Sequence, residues 1–159
     1  SFSFHYETRA ILLNCENRVP VTARKDYAGG ITGRMDLGYI LECRNYGNVE
    51  STDGSYVGGI AGSSASTIRR SQSKCMASGK NFVGGIAGDA YNLLENLAFV
   101  SVRDAEMYSG AIAGRVDSEG EVSGNRFVDN GSAGIDGVSY AGKAEPVAYE
   151  SLMAEENAP

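Results

Sequence analysis

Apolar and polar positions along this chain follow a long period. Short apolar runs alternate with clusters of Gly, Asn, Asp and Ser, and one glycine-rich, almost uncharged heptapeptide keeps returning. It reads YAGGITG at 27–33, YVGGIAG at 56–62, FVGGIAG at 82–88 and YSGAIAG at 108–114. Successive copies start 29, 26 and 26 residues apart. Spacing of this size marks a repeat architecture. A second apolar run, broken by a polar turn, precedes each copy: LLNCENRVPV, ILECRNYGNV, IRRSQSKCMA and LLENLAFVSV, with EVSGNRFVDNG opening a fifth unit at Glu121.

Helical repeats of this length need two amphipathic stretches of roughly ten residues each. None fits between the glycines before the C-terminal segment, and a glycine inside a helix costs ~1 kcal/mol relative to Ala. Three short strands per unit, separated by Gly, Asn, Asp and Ser turns, fit better. The expectation is an all-β chain: a right-handed parallel β-solenoid of about five coils, with handedness taken by analogy, and a short C-terminal helical cap. Solenoid repeats are assigned to 1–132, with units near 11–33, 40–62, 68–88, 93–114 and 121–132. Residues 133–159 form a capping or exit segment, with a helix expected over 148–157 and Pro146 just before it.

A period of two along the heptapeptide sorts its positions into two faces. One face holds the aromatic residue and the isoleucine: Tyr27 and Ile31, Tyr56 and Ile60, Phe82 and Ile86, Tyr108 and Ile112. This face is expected to point inward as stacked columns, with glycine making room for the rings. The small face, which carries Ser109 in the fourth copy, is expected to meet solvent. Cys15 and Cys43 hold one slot of neighbouring coils, and Asn96 holds it in a later one. Stacking brings the two cysteines close, and the expectation is free thiols rather than a disulfide.

Composition adds limits. Glycine, at 21 residues, is about twice its usual share. A net charge of −6 argues against nucleic acid or an anionic membrane as partner. No apolar stretch approaches the ~18 residues of a membrane span. The opening SFSFHYETRA reads as the start of an excised piece, its aromatics continuing or capping the first coil. Three cysteines spaced 28 and 32 residues apart, with His5 as the only histidine, suit neither a zinc site nor a disulfide framework.

YVGGIAG preceded by ILECRNYGNV resembles the GLUG repeat of large bacterial surface proteins, and AGIDGVSYAGKAEPVAYESL resembles the segment that follows such repeats in Gram-positive bacteria. The resemblance runs from Ile11 to about Leu152. It implies a module of a secreted or cell-surface protein, beside domains such as IgA-specific metallopeptidases. Those enzymes carry H-E-x-x-H, which this chain lacks, so the implied module is not the protease. Ala111 in place of the second glycine makes the fourth heptapeptide the most divergent.

The search for chemistry is bounded. A dinucleotide loop uses its glycines once, between strand and helix; here they recur four times with no helix after them. His5 is the only imidazole for a nucleophile–base pair. Asp36, Asp53, Asp89, Asp104, Asp117 and Asp129, with Lys74, Arg103 and Arg115, are the candidates for a polysaccharide-degrading site, but aspartate is also a favoured turn residue. Calcium β-roll nonapeptides are absent, so no cofactor or metal is expected. Tyr39, Tyr46 and Tyr91 fall near expected turns and are the candidates for contact with sugars. The reading is a non-catalytic rigid spacer or adhesion module, partnered by neighbouring domains of its own polypeptide, with a host glycan or protein as a further candidate partner. The alternatives are a dedicated glycan- or protein-binding module and a fragment of a β-helix polysaccharide-degrading enzyme.

Overall fold

The computed structural model describes residues 10–103, 105–128, 133–135 and 142–150. Every strand pairing in them is parallel and joins one turn of the chain to the next, giving a β-solenoid of about four turns. The expected fifth unit contributes strands at Val122–Ser123 and Asn125–Val128 but, among the described residues, no strand of the third sheet.

Three sheets wall each turn. Sheet I comprises Ala10–Leu13, Thr32–Met35, Gly38–Leu41, Ala61–Arg69, Ala87–Leu94, Ala113–Val116 and Val122–Ser123. Sheet II runs from Glu16–Asn17 and Val21–Ala23 through Arg44–Asn45, Val49–Ser51, Gln72–Ser78, Leu97–Arg103 and Asn125–Val128 to Ala144–Val147. Sheet III is short: Ala28–Gly29, Val57–Gly58, Asn81–Gly84 and Met107–Gly110. Ala144–Val147, in the segment expected to close the repeats, adds in register to Asn125–Val128 as one more strand of sheet II. Tyr149 and Glu150 are helical, and the rest of the expected cap helix lies outside the described residues.

Register stacks like on like. Sheet I aligns Leu12, Ile40, Ile68, Leu93 and Val122, of which Ile40, Ile68 and Leu93 are fully buried. Sheet II aligns Val21, Val49, Ala77 and Val102. Ile60, Ile86 and Ile112 are fully buried, as expected, while Ile31 in the first turn is partly exposed.

The aromatic half of the inward face is not where the period of two puts it. Tyr27 is 37% exposed, and Tyr56, Phe82 and Tyr108 are half-buried on the outside. The supposed solvent face is interior: Ala28, Val57, Val83, Ala61, Ala87 and Ala113 are buried. The cause is local. The heptapeptide is a corner, not one strand. Its aromatic residue has positive φ (Tyr27 68°, Tyr56 66°, Phe82 55°, Tyr108 56°), two strand residues follow, and the chain bends at Gly59–Ile60 before the next strand starts at Ala61. Each irregularity resets the alternation.

Glycine serves this corner rather than the rings. A Cβ at Gly58 would strike the carbonyl oxygen of Ala61 and lie 2.6 Å from Cα of Ala87. One at Gly62 would lie 2.5 Å from the carbonyl oxygen of Tyr56. Sheets I and III therefore meet backbone to backbone.

A second corner joins sheet I to sheet II. Asn14, Glu42, Arg70, Glu95 and Gly124 follow one another there, all with positive φ. The next residue in each turn points inward, forming the column Cys15, Cys43, Ser71, Asn96, Asn125. Its polar members satisfy the corner: Ser71 Oγ accepts from Cys43 N (3.1 Å), Asn96 Oδ1 from Ser71 N (2.9 Å) and Asn125 Oδ1 from Asn96 N (3.0 Å).

Candidate functional site

The aromatic corner produces the most distinctive surface. Rings of Tyr27, Tyr56, Phe82 and Tyr108 stack with centroids 5.0, 4.6 and 4.6 Å apart and planes within 15°, 4° and 4°. This spacing is that of the parallel backbone beneath, ~4.8 Å, so the ladder forms wherever equivalent residues are flat rings. Beside it in sheet I runs the register column Arg34, Ser63, Asp89, Arg115. The Arg34 guanidinium lies 5.2 Å from the Tyr27 ring centre and that of Arg115 5.1 Å from Phe82. Both arginines are also ion-paired, Arg34 to Asp36 (3.0 Å) and Arg115 to Asp89 (3.1 Å), and each carboxylate holds its guanidinium above its ordinary pKa, the hydrogen bond contributing most.

What such a ladder offers a ligand follows from which surfaces are used. Tyr56 and Phe82 have a ring on each face, leaving edges and, for Tyr56, the hydroxyl. Tyr27 has a ring on one face only among the described residues. Tyr108, at the other end, likewise has a ring on one face only among the described residues. A sugar stacks on an aromatic face, so the ladder suits one at its ends, and at the Tyr27 end Arg34 stands beside the ring.

The tyrosines named from sequence sit differently from expectation. Tyr39 and Tyr91 are strand residues, in Gly38–Leu41 and Ala87–Leu94, rather than turn residues. Tyr39 is exposed beside Ile11 and Thr67 on the outer surface of sheet I. Tyr46 follows the strand Arg44–Asn45 and is covered by the Arg18 guanidinium at 4.6 Å. The three do not converge on one site.

The aspartates are spread likewise. Asp36 and Asp89 face their arginines, while Asp117 accepts from Glu119 N (2.9 Å) in a turn. Asp53 lies in an open polar groove of about 630 Å³ with Glu50, Glu106 and Lys80, where sheet II turns toward sheet III. Lys74 lies 5.1 Å from the Phe99 ring centre, and Arg103 is exposed at the end of its strand. His5, Asp104 and Asp129 lie outside the described residues. No group of three or more His, Cys, Asp or Glu able to hold a metal occurs among the described residues.

Sequence reasoning missed the arginine column and the groove. The repeat signal lies in small and apolar residues, whereas Arg34 and Arg115 are brought to the ladder by a register across three turns. Compared with protein-family models, with curated proteins and with solved structures, the chain gave no match in any of the three.

Proposed function

We propose that this chain is a non-catalytic repeat module of a secreted or cell-surface bacterial protein, of the GLUG type, acting as a rigid spacer or adhesion domain. The observation that carries the reading is continuity of order from turn to turn. Backbone bonds repeat at equivalent positions, as from Ile31 N to Ile60 O (3.0 Å), Ile60 N to Ile86 O (2.9 Å) and Ile86 N to Ile112 O (2.8 Å). The ring ladder and the buried columns run along the same axis. Such a body resists bending because every bend must open one edge of several ladders at once, and a stiff body holds a neighbouring domain at fixed distance. Asp36, Asp89 and Asp117, engaged in local ion pairs and a turn, favour this over the polysaccharide-degrading reading. Small-angle scattering of two fused copies tests it. A rod of fixed length, unchanged by salt, is expected; a salt-dependent, flexible chain contradicts it.

A second reading, a module that binds a host glycan or protein, draws on the half-exposed Tyr27 ring beside Arg34. A glycan array distinguishes the two: binding lost in Tyr27→Ala supports this reading, and an empty array supports the spacer.

A further inference from the structure

We propose that Cys15 and Cys43 form a thiol–disulfide exchange site, in which a small external disulfide such as oxidised glutathione reacts at Cys15 and leaves a Cys15–Cys43 bond stapling the first two turns. This stands independently of what the module does.

Placement makes the pair. Leu13 pairs in register with Leu41, and Glu16 with Arg44, so the intervening residues are equivalent. Each cysteine directly follows a positive-φ residue, Asn14 at 56° and Glu42 at 54°. Arg44 N donates to Cys15 O at 2.8 Å, clamping the two corners together. Neighbouring residues of a parallel ladder lie ~4.8 Å apart, within the Cα separation a disulfide spans. Cys43 Sγ reaches across the turn boundary, its one S–H having Leu12 O (3.3 Å) and Leu41 O of its own turn (3.5 Å) as alternative acceptors. Bonding requires the two Cβ atoms to tilt together. The partly exposed first turn, with Leu12, Cys15 and Val21 all half-buried, can give way.

The two thiols differ in access, which orders the steps. Cys15 is half-exposed and lines an open groove of about 260 Å³ with Asn14, Glu16, Glu42 and Arg44. Cys43 is fully buried. The Cys15 thiolate attacks one sulfur of the external disulfide, whose S–S bond breaks and releases one thiol. Cys43 then loses its proton and its sulfur attacks that of Cys15, expelling the second thiol. Two protons and two electrons leave the protein, and the external disulfide is reduced to two thiols. Burial pushes the Cys43 thiol above its ordinary range, which leaves the first attack to Cys15. Cys75 is the internal control: its sulfur lies beside Ser73 Oγ (3.3 Å) and Asn45 Nδ2 (3.6 Å), outside the Cys15–Cys43 column.

The test equilibrates the full chain with reduced and oxidised glutathione, quenches in acid, alkylates under denaturing conditions and maps the thiols by mass spectrometry. The expected product lacks two hydrogens, links the Cys15 and Cys43 peptides, and leaves Cys75 alkylated. Cys43→Ser should accumulate the glutathione adduct at Cys15, and Cys15→Ser should leave Cys43 unreacted. Alkylation of all three cysteines in the wild type at oxidising equilibrium would overturn the proposal. So would a Cys15 adduct that never resolves, or a bond involving Cys75.

Discussion

Ile60 and Ile86 are fully buried at the corner between sheets III and I. Truncating either to Ala should cost about 2–5 kcal/mol through the cavity left behind, read as a shift in the urea midpoint. Gly58 carries the opposite constraint. Gly58→Ala drives a methyl into backbone at Ala61 and Ala87, which cannot rotate away. Overpacking usually costs about 1–3 kcal/mol, and this substitution should reach the top of that range in the same assay. The isoleucines were legible in the sequence because repetition at a fixed spacing picks out stacked core positions. The outward rings were not. Strand alternation assumes an unbroken strand, and positive φ at Tyr56 with a bend at Gly59–Ile60 breaks it twice in five residues. A residue of either chirality of backbone leaves the same letter in the sequence.

Among the elements, the sheet I–II corner shows how one slot accepts different chemistry. In the first two turns a thiol fills it; later turns use Ser71, Asn96 and Asn125. Asn96 is fully buried, its Nδ2 donates to Ile68 O and Asn125 Oδ1 (both 3.0 Å), and its Oδ1 accepts from Ser71 N. Asn96→Ala should cost more than an average core truncation of that size, since each buried group left unpaired costs roughly 1–3 kcal/mol; thermal unfolding measures it. On the outer side of this corner, Arg70, and secondarily Arg69, hold the Glu95 carboxyl below its ordinary range. Since folding lowers this pKa, the contribution is present above the unfolded value, fades as pH falls, and is gone below the folded one. Arg70→Ala should therefore make the acid limb of a stability–pH curve slightly shallower, and added salt should do the same to the wild type. The polar break in the run before each heptapeptide signalled this corner, but pairings such as Arg70–Glu95 depend on a lateral register of about 25 residues that no local pattern carries.

For the whole molecule, each turn contacts only its neighbours, so stability is expected to add turn by turn, with the terminal turns opening first. The first turn already shows this: Leu12, Cys15, Val21 and Ile31 are less buried than their counterparts inside. Repeat period and glycine spacing were enough to read the parallel solenoid, because a 26-residue return with no amphipathic helical stretch between the glycines leaves room for several short strands per turn. About four turns lie among the described residues, and there the fifth unit extends sheets I and II, while the stretch that would carry its sheet III strand lies mostly outside them. The central claim is that residues one repeat apart lie directly over each other with the isoleucines inside. Nuclear Overhauser contacts in the labelled protein test it most directly. The account predicts amide contacts linking Val57 with Val83 and Ile60 with Ile86, together with slow hydrogen exchange at Ile60 and Ile86 amides. Contacts confined to residues three or four apart, or fast exchange at those isoleucines, would contradict it.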